Sequence, residues 1–168
     1  MISPDYVKLM ARYNAWQNVS LYREAAKLTD AQRREDKGAF FKSIHATLNH
    51  LVWGDHMWMS RFAGIPRGNV GTLPSGLDAF PDFNDLTVER IRLDGIISSW
   101  AASVTEVDLA GELTWMSGAL HREVSKPRWI TVAHMFNHQT HHRGQVHAML
   151  TSFGAKPDMT DLAFMPDA

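Results

Sequence analysis

Cysteine is absent from this chain, which excludes disulfides, thiolate metal ligands and a cysteine nucleophile. An excess of charge of either sign is missing too: 17 lysines and arginines against 18 aspartates and glutamates leave a formal net charge of −1. With no broad basic surface, nucleic acid is not expected as a partner. No uninterrupted apolar run is long enough to span a bilayer, and the opening MISPDYVKLM lacks the apolar core of a signal peptide. No membrane association is expected, and a soluble cytoplasmic protein is. No phosphate-cradling glycine loop stands out, because the glycines of residues 64–82 are not followed by a lysine-bearing helix start. Internal repeats and low-complexity segments are also missing. What is there suits one globular domain over residues 1–168, with 45% hydrophobic content to build its core.

The chain is organised around residues 129–153, WITVAHMFNHQTHHRGQVHAMLTSF. Pro127 before it and Gly154 after it bound a single helix. Five histidines lie in it: His134, His138, His141, His142 and His147. At 100° per residue, Thr131, His134, His138, His142, Gln145 and Met149 form one stripe, with His141 at its edge. Val132, Phe136, Val146 and Leu150 form a second. A third, Ala133, Thr140, Gly144, Ala148 and Thr151, is small enough to admit a close neighbour. No face is simply charged, so this helix is expected to be surrounded by protein.

Three further long helices precede it. Ser3-Pro4 opens one that runs to about Leu28, and Thr29-Asp30 caps a short solvated turn, AQRRED. The next covers roughly 41–63 and stops at Gly64. On it Ile44, Leu48, Leu51, Asp55, Met59 and Phe62 share one stripe. Ala46, His50, Trp53, Gly54 and Met57 share another, and His45, Val52 and His56 lie between. Residues 64–82, with four glycines and three prolines, cannot be a regular helix; such a linker crosses the bundle or shapes a site. Asp82 caps a helix to about Val104. Alternation in ELTWMSGALHREVSKP, with a turn at Ser117-Gly118, predicts a short β-hairpin before the histidine helix. The tail, with two prolines, is expected along the surface. The fold class is all-α, a bundle of four long helices with an accessory hairpin.

Two histidines four residues apart on a helix can reach one ion, and His134/His138 and His138/His142 both satisfy this. A third ligand must come from another helix, where His45, His50 and His56 are all candidates. His147 and His121 have no expected ligand role. HQTHH also invites comparison with the zinc-peptidase pattern H-E-x-x-H, but Gln139 stands where the glutamate base would be, and an amide cannot take a proton at neutral pH. Asp55, one turn beyond His50, is a candidate to orient an imidazole or act as a base, against an ordinary role as an N–H acceptor or surface carboxylate. Asn14, Asn49, Asn137 and Arg143 are candidates to support ligands from behind. Trp53, Trp58 and Trp115 more often fill a core than line a pocket.

The segments NHLVWGDHMWMSRF and FNHQTHHRGQVHAML resemble the DinB-like family of metal-dependent helical bundles, supported by YNAWQN near the start and TDLAFMP near the end. The resemblance implies a four-helix bundle in up-down-down-up order, with the long linker as the crossover. It also implies three histidine ligands, which fall on His50, His138 and His142, with His134 as an alternate. Nickel or zinc is the implied divalent ion, and a homodimer the implied assembly; apolar residues on several helix faces agree with the latter. Three neutral histidines leave coordination positions open for water or a small-molecule substrate. Relatives of this kind include thiol-dependent S-transferases, so the expected activity is a metal-dependent transferase using a low-molecular-weight thiol, with metal-water hydrolysis behind it. The alternative is a non-catalytic metal-binding or stress-response bundle, and a third reading is an apo dimerisation module with a vestigial site.

Overall fold

The computed structural model, which describes residues 1–118 and 120–167, is mostly helical with one small hairpin. Side-chain oxygens open three of its four long helices, each satisfying a backbone N–H that the first turn leaves free. Ser3 caps α1 (Pro4–Ala26) by accepting from Tyr6 N. Thr29 and Gln32 form a reciprocal capping box on the short α2 (Asp30–Arg34). Ser43 caps α3 (Ile44–Ala63), which ends at Gly64 in the left-handed conformation. Asp82 accepts from Asn84 N and Asp85 N to open α4 (Phe83–Ser103). A second capping box, Thr105 with Asp108, forms the one-turn α5 (Glu106–Leu109), which the periodicity had not indicated. Strands β1 (Glu112–Ser117) and β2 (Arg122–Pro127) pair antiparallel from Glu112↔Pro127 to Ser117↔Arg122, as the alternation predicts. They feed directly into α6 (Arg128–Ser152), the histidine helix.

One boundary differs in a way that matters. The second long helix begins at Ile44, not near Phe41, because Ser43 takes the cap. Lys42, with φ of 67°, and the bridge between Ala39 and Lys42 turn the chain just before it, so Phe41 lies outside the helix.

Helix α1 packs against α4 and α6, and α3 packs against the same two. Tyr6 meets Phe136 edge-on, and Arg143 donates to Asn14 between α1 and α6. Tyr22 stacks on Phe83, and Asn18 donates to Asp94, between α1 and α4. Phe62 stacks on Trp100 between α3 and α4, while Arg128 donates to the Phe62 carbonyl between α3 and α6. The apolar interior is in two halves. One holds Val7, Met10, Phe62, Ile97, Val132 and Phe136; the other holds Leu21, Ile44, Leu48, Leu86, Val146 and Leu150. Between them every long helix contributes buried polar side chains, Asn14 and Asn18, Asp55, Arg90, Gln139 and Arg143, with Asp94 half-buried beside them. A polar layer therefore crosses the bundle at mid-height.

The 64–82 linker runs back along α3. Trp53 Nε1 donates to Gly71 O, Asp78 Oδ1 lies 3.1 Å from His45 Nε2, and Asn49 bonds the backbone of Phe80 in both directions. Gly76 sits so close to the Trp53 ring that a Cβ there would lie 2.6 Å from it, so no larger residue fits without a shift. The tail lies along α1, as expected: Tyr13 donates to Thr160 O, Gln17 to Met159 O, and Asp158 N to Ser20. The AQRRED turn has no buried residue, as expected of a solvated turn, but two of its arginines reach back to the bundle. Arg33 packs over the Phe83 ring and donates to Leu28 O, and Arg34 pairs with Asp78. Among the described residues no helix is long and apolar enough to cross a membrane.

Candidate metal centre

Three histidines converge at the edge of the polar layer, where α3 faces α6. One ring nitrogen from each of His50, His138 and His142 lies within 4.8 Å of the other two. His50 Nε2 and His138 Nε2 are 2.9 Å apart. Ligand nitrogens about 2.0–2.1 Å from a tetrahedral zinc lie about 3.3 Å from one another, a spacing that these values bracket. His138 reaches this point because Gly54 opposite it presents no side chain; its ring carbon Cε1 would be 3.4 Å from a Cβ there.

The protonation states suit ligation. Burial, reinforced by neighbouring imidazoles, lowers His138 to about 3, and burial with His142 lowers His50 to about 4. Both are neutral at pH 7, and each has a lone pair to offer. His142 is also lowered, first by burial. Its Nδ1 is 2.8 Å from Gln145 Oε1, and an amide oxygen only accepts, so Nδ1 carries the proton and Nε2 keeps the free pair. His50 Nδ1 is buried with no partner. It is His50 Nε2 that faces His138 Nε2, and two neutral ring nitrogens turned on each other beside His142 fit a divalent cation held between them.

Aromatic rings wall the trio. Phe41 packs against His50 at 3.9 Å between centroids and against His142 at 5.2 Å. Trp53 stacks on the other side of His50, at 5.8 Å and 22°. Phe41 was invisible as a site residue while it was assigned to a helix; the signal for it was Ser43, a capping residue that ends the helix two positions later. Trp53 and Trp58 are thus placed at the site's edge rather than only in the core.

The three histidines of α3 separate cleanly. His45 is buried beside Asp78 and Asn49, and His56 Nε2 lies 2.7 Å from Glu89 Oε1, so each has a carboxylate and neither joins the trio. Only His50 faces His138. On α6, His134 is exposed, its ring 5.8 Å from His138 and edge-on to Trp58. His141 is exposed, with Nε2 3.3 Å from Gln145 Nε2. His147 lines a separate pocket with Tyr13 and Gln17, and His121 is exposed in the hairpin turn. The stripe Thr140, Gly144, Ala148 and Thr151 is exposed, and nothing lies within 4 Å of a Cβ placed at Gly144. The α6 helix is therefore not surrounded by protein: the small face is open.

Asp55 is fully buried and belongs to the polar layer. Arg90 Nη1 donates to its Oδ2 at 2.6 Å, and Gln139 Nε2 donates to its Oδ1. Arg90 Nη2 lies 2.9 Å from Asp94, whose carboxyl burial raises against the pull of the Arg90 charge. Gln139, which replaces the peptidase glutamate, is thus a strut between α6 and α3. Arg143 is buried over the Tyr13 ring and bonds Asn14; burial lowers it to about 10. Asn137 is exposed.

A helical protein with a trio of neutral histidines spaced for a divalent cation is the class that fold and site define. The chain belongs to the DinB family, whose sequence pattern it matches over residues 1–168. It is similar to Protein DinB of Bacillus subtilis (strain 168), at 22% identity over 161 residues covering 94% of this chain and 91% of that protein.

Proposed function

We propose that this protein is a metal-dependent enzyme in which His50, His138 and His142 hold one divalent cation, nickel or zinc. The observation that carries the reading is the convergence of three neutral imidazoles, His50 and His142 buried and His138 half-buried, with no carboxylate among them. A bound ion there supplies a Lewis acid able to lower the pKa of a thiol or water and to polarise an electrophile. The chain's own residues do the rest. Gln145 fixes the His142 tautomer, Phe41 and Trp53 exclude water from two sides of His50, and the buried Asp55–Arg90–Gln139 network holds α3 in register with α6. Of the activities open to such a site, transfer of a low-molecular-weight thiol to an electrophile is the one we favour.

The bundle order that fits is up-down-down-up. The pairs Tyr6–Phe136 and Asn14–Arg143 support parallel α1 and α6, while His50–His138 and Phe62–Arg128 support antiparallel α3 and α6. Asp55–Arg90 and Phe62–Trp100 support parallel α3 and α4, which is what a crossover in 64–82 requires. A homodimer is the assembly we favour, supported by the open small-residue face of α6 beside exposed Leu9 and Ile130. Sedimentation showing only monomer at micromolar concentration would remove that part of the reading.

The activity is tested by screening tag-free protein, reconstituted with nickel or zinc, against a panel of small thiols and electrophiles. Conjugation faster than with the free ion, and lost in His138→Ala, supports the enzyme. Full metal occupancy with no acceleration across the panel would favour the non-catalytic metal-binding alternative.

A further inference from the structure

Two arginines flank the histidine trio without a carboxylate for either. Arg61, two helical turns beyond Gly54 on α3, lays its guanidinium over Trp58 at 4.8 Å and over Trp115 of β1 at 5.3 Å. Trp58 touches His134, which touches His138, so this wall leads to the trio. On the other wall Trp53 stacks on His50 and donates to Gly71 O, and Arg67 Nη2 donates to that same carbonyl at 3.2 Å. Arg67 Nε is buried with no partner. Burial, and after it the charge of Arg67, lowers Arg61. Among the described residues neither arginine forms an ion pair.

The carboxylates around α3 are committed elsewhere: Asp55 to Arg90, Asp78 to Arg34 and His45, Glu89 to His56 and Arg92. A chain whose net charge is −1 thus concentrates positive charge at one corner, and a divalent ion on three neutral histidines would add to it. The half-buried Arg61 guanidinium, over two indole rings and without an ion pair, can take a carboxylate's two oxygens. Resting on the metal reading above, we propose that the substrate or thiol reaching the trio carries a carboxylate, which Arg61, further along α3, binds together with Arg67. Seven residues separate Gly54, which faces His138, from Arg61, so the anionic group sits about 10 Å along the helix from the trio. Arg61 and Arg67 are thereby specificity-determining residues. The tryptophans bind the carbon skeleton between the two ends.

The test uses the full chain loaded with cobalt, whose visible bands report uptake and whose thiolate-to-cobalt absorption reports binding of a thiol probe. Mercaptooctanoate spans about the required length, its amide lacks the charge, and mercaptopropionate is too short to reach the arginines. The expected result is that mercaptooctanoate binds about tenfold more tightly than its amide, while mercaptopropionate shows no such preference over its own amide. In Arg61→Gln with Arg67→Gln the long acid should fall to the affinity of the amide, with cobalt uptake and amide binding unchanged, which excludes misfolding as the cause. Normal cobalt uptake with equal binding of long acid and amide, or a preference that survives the double substitution, overturns this inference alone. Failure of the wild type to take up cobalt overturns it together with the metal reading.

Discussion

Two polar clusters share the middle of this bundle, and they are built on opposite plans. In the first, Asp55, Arg90, Asp94, Asn18 and Gln139 meet donor to acceptor and charge to counter-charge across all four long helices. In the second, about one helical turn away along α3, three histidines bring ring nitrogens within 4.8 Å of one another with no carboxylate among them. Each cluster is buried apart from one half-buried member, Asp94 in the first and His138 in the second, so solvent does not explain the difference. A polar group taken out of water must find a partner or remain costly. The first cluster sets charge against counter-charge within the chain, Arg90 between Asp55 and Asp94, and so serves the fold. The second gathers neutral acceptor nitrogens with no counter-charge among them, and that is the mark of a cation site.

The comparison is broken most severely from the paired side. Removing one member of a buried ion pair leaves the other charged and unpartnered, so Asp55→Ala should cost about 3–5 kcal/mol in urea unfolding. Alanine at His50 or His138 in the metal-free protein should cost far less. If the two kinds of substitution destabilise equally, the distinction between strut and site is wrong. Next in size is the support behind a ligand. Gln145→Ala removes the acceptor that fixes the His142 tautomer and should weaken metal binding by about 10–100-fold, measured by competition with a chelator.

A smaller effect lies in the pH dependence of the metal-free protein. Burial holds His50 at about 4 and His138 at about 3, below the roughly 6.5 of an unfolded histidine. Between those values the unfolded chain binds more protons, so stability is full above about pH 6.5 and is lost as pH falls toward 4 and then 3. The urea midpoint should therefore drop between about pH 7 and about pH 5, and His138→Ala should flatten the drop. An equal slope in that variant would assign the dependence to other groups. The smallest expected change is at His134. It lies on the ligand stripe but outside the converged trio, so His134→Ala should leave metal affinity where it is.

Much of this was legible in the chain. Period-3.6 patterning located all four long helices, and capping residues such as Ser3 and Asp82, with Gly64 as a stop, marked ends that the structure keeps. The i,i+4 pair His138/His142 was legible for the same reason, since the spacing belongs to the helix itself. The partner on the second helix was not. His45, His50 and His56 are equally good by spacing, and only packing decides that two of them go to Asp78 and Glu89. Resemblance to the family supplied that choice, and the structure brings His50 beside His138 and His142. Asp55 illustrates the limit further. Its stripe on α3 is apolar, and nothing local announces that Arg90, 35 residues later, is its partner. Phe41 failed differently, through a helix start misplaced by three residues, which hid a ring that packs on two of the histidines.

The central claim is that the converged trio, and no other group in the chain, holds one divalent ion. Elemental analysis of protein purified without a histidine tag tests it most directly, run beside His50→Ala, His138→Ala and His142→Ala. The account predicts one nickel or zinc per wild-type chain and a collapse of affinity in each variant, with helical content intact because alanine suits a helix. A full metal equivalent retained at unchanged affinity in both His138→Ala and His142→Ala would contradict it.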